Sequence, residues 1–212
     1  MNILAHRGIW KRKDERNTFS ALKSAIDYDF GIETDVRDLN GKLVISHDMP
    51  NSDSFLNFED LLDYYSLNSN TGTIAINIKS DGLQEPLYNL LQQYKITRYF
   101  VFDMSIPDTL LYLKREMQVY IRHSELEEYP KLMGSASGFW VDEMTESWLN
   151  SKSINQLLSL GKKISIVSPE LHERDHVNLW KIIKNINKSS RQFIDLSLCT
   201  DYPFKAKSFF ND

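Results

Sequence analysis

An α/β fold, and within that class a compact single-domain (β/α)8 TIM barrel over residues 1–212, is predicted by three observations. Short apolar or β-branched runs recur eight times, each is followed by helical periodicity, and neither a Pro/Gly/Ser linker nor a shift of composition divides them. The alternative is an open doubly wound sheet, and the lack of a glycine-rich loop after the first strand speaks against it. With 42% hydrophobic and 12% aromatic residues, the chain can bury one sizeable core.

The elements follow in order. Strand-like runs lie at residues 2–5, 31–37, 73–78, 98–102, 118–122, 138–142, 163–167 and 193–198. The first passes directly into His6-Arg7-Gly8. Asn17 is placed to cap a helix whose apolar positions include Phe19, Leu22, Ala25 and Ile26, and Gly31 suits a left-handed position at its end. After the second strand, Asn40-Gly41 predicts a tight turn and Leu43 to Ser46 a short accessory return strand. Helical intervals then span residues 58–65, 83–94, 107–114, 125–133, 148–160, 177–186 and 204–210.

Strand alternation selects the chemistry. In Gly31-Ile32-Glu33-Thr34-Asp35-Val36-Arg37, residues Glu33, Asp35 and Arg37 share one side and Ile32, Thr34 and Val36 the other. Two carboxylates held close in a water-poor cleft repel, and one takes up a proton unless a cation sits between them; a hard, oxygen-loving metal is the natural candidate. On the third strand Thr73, Ala75, Asn77 and Lys79 share the polar face, opposite Ile74, Ile76 and Ile78. In a barrel of this kind the functional groups sit at the C-terminal strand ends, where His6, Arg7, Glu33, Asp35, His47, Asn77 and Lys79 all fall.

Charge and targeting exclude some classes. A formal charge of −4 and a pI near 5.8 argue against nucleic acid or anionic membrane as a partner. The basic cluster Lys11, Arg12, Lys13 and Arg16 reads either as a solvated loop or as a selector of an anionic substrate. Cys199 has no disulfide partner and reads as a structural strand residue. Met1 leads straight into the first strand and no apolar run approaches membrane-spanning length, so cytoplasmic residence without stable membrane insertion is expected.

Taken together, His6-Arg7-Gly8, Asn17-Thr18, Glu33-x-Asp35, Ser46-His47-Asp48 and Lys79 resemble the glycerophosphodiester phosphodiesterase family of metal-dependent TIM-barrel enzymes. Thr200-Asp201-Tyr202-Pro203 resembles that family's closing segment. The resemblance implies that His6 and His47 form an acid and base pair, that Glu33 and Asp35 bind one divalent cation, Mg or Ca, and that Arg7 and Lys79 hold the phosphate. It further implies a small-molecule phosphodiester substrate. Two departures stand out. The family usually has Glu-x-Lys on the third strand where this chain has Asn77-Ile78-Lys79; an amide oxygen still suits Mg or Ca, at lower affinity. Glu15-Arg16-Asn17 also displaces the glutamate that often directly precedes the asparagine. Only Met49 to Asn57 stands where many members insert a small subdomain, which leaves room for a bulkier substrate.

Beyond the first third of the chain, Glu170 and His172 follow the seventh strand, and Arg122 and Trp140 lie near the ends of the fifth and sixth. These are candidates for a substrate head group, with Trp140 as an aromatic wall. Besides a hydrolase releasing an alcohol and a phosphomonoester, two readings stay open: a lyase that stops at a cyclic phosphate, and a degenerate barrel that binds a phosphorylated ligand without turnover.

Overall fold

The strand and helix rhythm is present in the structure, a computed structural model that describes residues 1–50, 55–68, 72–127, 130–189 and 196–211. Its internal contacts divide it into two units, Leu4–Val119 and Tyr120–Asp212 with Met1–Ile3.

The unit Leu4–Val119 takes the last three residues of β1 (Asn2–His6) and runs through α1 (Phe19–Asp27), β2 (Gly31–Leu39), β3 (Lys42–Ile45), β4 (Leu56–Asn57) and α2 (Phe58–Ser66) to β5 (Ile74–Ile78), α3 (Gln84–Gln93), β6 (Tyr99–Phe102) and α4 (Ile106–Lys114). Strands β1, β2, β5 and β6 are parallel neighbours, with His6 opposite Glu33 and Asp35 opposite Asn77. Both faces of β2 are covered: Ile32, Thr34 and Val36 are buried on one side, Glu33 and Asp35 on the other. Such double burial is what a parallel sheet flanked by helices imposes. Asn40 and Gly41 take positive φ values of 49° and 76°, the conformation of a tight hairpin turn, and β3 returns antiparallel to β2 with Ile45 opposite Val36. The expected accessory strand is therefore real, and it carries Ser46 and His47 at its far end.

In the second unit, β7 (Tyr120–His123), α5 (Pro130–Met133), β8 (Gly138–Val141), α6 (Ser151–Ser159), β9 (Lys163–Val167), α7 (Val177–Ser189), β10 (Leu196–Thr200) and α8 (Pro203–Asn211) continue the alternation. The four strands are parallel in the order β7-β8-β9-β10. Trp180 packs on Phe209 and Phe210, tying α7 to α8.

Four local expectations change. Thr18, not Asn17, caps α1, its hydroxyl accepting from the Ala21 N–H; Asn17 is spent on β2 instead. Gly31 opens β2, and the left-handed residue after α1 is Asp29 at φ 59°. Residues 125–127 are not helical, the Glu125 carboxylate accepting from the backbone N–H groups of Met144 and Thr145, and α5 covers Pro130–Met133, with residues 128 and 129 outside the described residues. The last strand runs on to Thr200, two residues past the expected end, and residues 193–195 lie outside the described residues.

Gly31 is needed for room, since a Cβ there would lie 2.4 Å from Leu4 Cδ2 and 2.8 Å from the Thr73 carbonyl oxygen. Gly31→Ala is expected to destabilise the fold by about 2 kcal/mol through forced separation of strands, read as a lowered denaturant midpoint at unchanged slope. A midpoint equal to wild type would show that the strands give way without cost.

Candidate active site

The site begins with the reversal after β1. Arg7 takes a left-handed φ of 57° and Gly8 one of 90°, which turns the chain back across α1. Any Cβ at Gly8 would come within 2.5 Å of the Ala21 backbone, so only glycine lets this loop lie on the helix. The Arg7 N–H donates to the Glu33 carbonyl at 2.9 Å, and the Arg7 carbonyl accepts from the Asn17 N–H at 3.0 Å. The Trp10 indole donates to the His6 carbonyl at 3.0 Å. A non-glycine residue in the left-handed region, held by so many bonds, is strain stored where a side chain must be aimed.

Arg7 is aimed at Asp35. Its Nε lies 2.9 Å from Asp35 Oδ2, while Lys79 Nζ lies 3.4 Å from Asp35 Oδ1. Asn17 Nδ2 donates to Asp35 Oδ2 at 2.8 Å, and the Asn17 side-chain Oδ1 accepts from the Thr34 hydroxyl at 2.9 Å. The second carboxylate, Glu33, lies beside His6, with Nε2 to Oε2 at 3.9 Å, and accepts from Asn77 Nδ2 at 3.4 Å. Six of the seven sequence-predicted residues thus form one connected network, and Asn17 joins it. In the sequence Asn17 was read as a helix start and a part of the family resemblance and not as a site residue, because its role depends on a turn that brings it onto β2.

Burial sets the electrostatics. Glu33 is 2% exposed and Asp35 is fully buried. Loss of solvent, with the Asp35 charge next door, pushes the Glu33 carboxyl up to about 7, against the opposing pull of His6, Arg7 and Lys79. Three buried oxygens, Glu33 Oε2, Asp35 Oδ1 and Asn77 Oδ1, have no hydrogen-bond partner. An all-oxygen donor set of two carboxylates and an amide suits a hard cation such as Mg or Ca. Among the described residues no group of three His, Cys, Asp or Glu side chains is placed to hold a metal, so the amide of Asn77 is needed to complete such a set.

His47 is placed differently. It follows β3, its ring half-exposed and 2.8 Å from Asp48 Oδ1. The hairpin is pinned beneath it by the Ser46 N–H on the Asp35 carbonyl at 3.1 Å, and by Arg37 Nε on the His47 carbonyl at 3.2 Å. His47 lines a pocket of about 640 Å³ that Arg7 and Asn17 also border. Glu15 stays apart from the site, its carboxylate accepting from the Lys11 and Arg12 N–H groups at 2.8 and 3.3 Å and shaping the loop.

The second unit holds the remaining candidates. Asp142, buried just past β8, takes Arg122 Nη1 at 2.6 Å and His172 Nε2 at 2.7 Å, one on each oxygen. Arg122 also reaches Glu127 at 3.3 Å. Glu170 accepts from the hydroxyls of Ser168 and Thr200 and from the Asp201 N–H, fastening the ends of β9 and β10. Trp140 is buried within β8, between Arg122 and Ser165 in register.

No protein-family model and no curated protein matches this sequence. Solved structures do match. A Galdieria sulphuraria crystal structure bearing the glycerophosphodiester phosphodiesterase name is 15% identical, with a TM-score of 0.79 over 100% of this chain and 98% of its own. A glycerophosphodiester phosphodiesterase from Agrobacterium tumefaciens is 18% identical, with a TM-score of 0.67 over 99% and 98%. A Ca2+-dependent phosphatidylinositol-specific phospholipase C from Streptomyces antibioticus is 9% identical, with a TM-score of 0.56 over 99% and 95%. This full-length likeness shows the fold, the (β/α)8 TIM-barrel class expected from the sequence.

The Glu33 shift has a measurable consequence. A carboxyl raised from 4.5 to about 7 by folding favours the native state below its unfolded pKa, and that contribution is lost as pH rises through about 7. Chelator-treated protein is therefore expected to lose roughly 3 kcal/mol of stability between about pH 4 and pH 8 from this group. Millimolar Mg or Ca is expected to restore melting temperature at the upper pH and to have little effect at the lower one. Identical melting curves with and without cation at the upper pH would exclude Glu33 as a ligand.

Proposed function

We propose that the chain is a phosphoric diester hydrolase that converts a small glycerophosphodiester-like substrate to an alcohol and a phosphomonoester, using one divalent cation, Mg or Ca. The observation that carries this reading is the buried Glu33 and Asp35 pair, flanked by His6, Arg7, Lys79 and the Asn77 amide at the ends of β1, β2 and β5. The likeness to glycerophosphodiester phosphodiesterases over the whole chain supports it.

Glu33, Asp35 and Asn77 would hold the cation, which supplies Lewis-acid stabilisation of the phosphoryl oxygens. Arg7 and Lys79 already lean on Asp35 from two sides, so their charges are set where a phosphate would arrive without reorganisation. In the first step a neighbouring substrate hydroxyl loses its proton to one imidazole and bonds to phosphorus, while the leaving alkoxide takes a proton from the other and departs as the alcohol. Water then opens the cyclic phosphate with the two proton roles exchanged, giving the phosphomonoester. Imidazole, whose ordinary pKa lies near neutrality, serves both directions within one cycle. His6 is braced by its backbone bonds, and His47 stands half-exposed on the hairpin, where it can follow a leaving group of varied size.

Incubation with glycerophosphodiesters and an activated aryl phosphodiester, in Mg, Ca or chelator, tests the reading. Cation-dependent release of alcohol and phosphomonoester is expected, with His6→Ala and Glu33→Ala each slower by about 100-fold or more. A cyclic phosphate that accumulates as sole product would make the chain a lyase, and ligand binding without turnover would make it a binding barrel. Asn77→Glu is expected to tighten cation binding at least tenfold in calorimetry by adding a charged ligand. Unchanged affinity would remove Asn77 from the ligand set.

A further inference from the structure

We infer that the exposed face of α4 is a self-association surface, on which a second copy of this chain docks antiparallel about a two-fold axis to form a reversible dimer. The face is apolar where the outer side of a helix is ordinarily polar. On α2 the exposed positions are Glu59, Asp60, Asp63 and Ser66. On α4 they are Ile106, Pro107, Leu110, Leu111 and Lys114, with Ile106 38%, Leu110 52% and Leu111 47% exposed.

The opposite face of α4 is fixed, so the apolar one does not turn inward. Asp108, Thr109 and Tyr112 are buried. Asp108 accepts from the Gly82 N–H at 3.1 Å and from Gln84 Nε2 at 3.0 Å, and Arg115 reaches Glu85 at 3.2 Å, so α3 and the loop before it hold the rotation of the helix. Ser105 caps its start, accepting from the Asp108 N–H at 3.3 Å. Residues four apart lie nearly in line along a helix, and Ile106, Leu110 and Lys114 therefore form one outward ridge with Pro107 and Leu111 beside it.

Charge along the ridge selects the partner. Its C-terminal end carries Lys114, and at its N-terminal end Asp81 is fastened beside the cap, accepting from the Ser105 hydroxyl at 2.9 Å. A ridge with an apolar middle, an acid at one end and a base at the other is complementary to itself turned end for end. About a two-fold axis through Leu110, each Lys114 meets the Asp81 end of the other copy, the leucines meet one another, and the helix dipoles run in opposite directions. The formal charge of −4 and the acid beside the ridge disfavour an anionic lipid surface as the occupant. A helix of 9 residues is about 14 Å long, so the contact buries less than the roughly 800 Å² per partner of a standard stable interface, and the association is reversible.

Analytical ultracentrifugation of the full chain at low ionic strength, over about 5 to 500 µM, tests the surface. A monomer–dimer equilibrium with Kd on the order of 10–100 µM is expected. Leu110→Glu should leave only monomer across the range; Leu110→Ser, a smaller change, reads the same way should the glutamate lower the melting temperature. Lys114→Glu and Asp81→Lys should each weaken the dimer at least fivefold when measured alone, because both cross-pairs then carry like charges, and less so as salt is raised. Mixed in equal amounts, the two variants should recover the affinity of the unaltered chain, since in the mixed dimer every cross-pair is again opposite in charge. Such recovery is specific to a two-fold pairing of these two positions. Monomer at every concentration, a dimer unmoved by both Leu110 substitutions, or variants that fail to recover on mixing would overturn the inference. So would a chain that stays monomeric but sediments with phosphatidylglycerol vesicles and loses that binding in Leu110→Glu, which would assign the face to a membrane.

Discussion

The fully buried carboxylate of Asp35 is the constraint around which the first half of the chain is organised. A lone ion in that position would be costly, and losing one partner of a buried pair typically costs about 3–5 kcal/mol. Asp35 is met by Arg7 from the turn after β1, by Lys79 from the end of β5 and by Asn17 from the loop before α1. Its own backbone carbonyl receives the Ser46 N–H of the hairpin. Four segments far apart in sequence are thereby fixed relative to one residue, and the polar site is part of what determines the fold of its surroundings.

Each of those segments is made possible by a local feature elsewhere. Gly8 allows the turn to lie directly on the α1 backbone, which in turn places Arg7 in its strained conformation. Asn17 gives up the capping role that its position advertises, and Thr18 takes it over one residue later. That exchange explains why both residues stand together: one closes the helix, and the other spans β2 from Thr34 to Asp35. Burial and the neighbouring Asp35 charge disfavour the Glu33 carboxylate despite the pull of His6, Arg7 and Lys79, a cost that the proposed cation would offset.

Much of this was legible in the sequence, for physical reasons that differ by residue. Alternation along the strand put Glu33 and Asp35 on one side, and parallel register then placed Asn77 opposite Asp35. Asn40-Gly41 announced its hairpin because few other dipeptides tolerate two positive φ values in succession. What was hidden depended on partners distant in sequence. The helix expected from Glu125 is absent over residues 125–127, where the Glu125 carboxylate binds a segment some twenty residues away. Gly31 looks like a helix terminator until the closeness of Leu4 and Thr73 is known. The basic cluster could not be divided into loop-stabilising and pocket-facing members without the turn that separates Arg12 from Lys13 and Arg16.

The two histidines are held by different kinds of structure, and this bears on how the proposed proton transfer would be positioned. His6 ends a strand paired through β2, in a region buried from both sides. His47 rides on β3, which pairs with β2 over four residues and with β4 over two. A one-residue slip of that hairpin would turn His47 to the opposite face and remove the Ser46 bond to Asp35, since strand side chains alternate. The tight turn at Asn40-Gly41 is what forbids the slip. The placement of the half-exposed imidazole, whose ring contacts the adjacent Asp48, is therefore set by the turn seven residues before it and by one backbone bond to Asp35, so that the same residue that organises the charged cluster also fixes the backbone that carries His47.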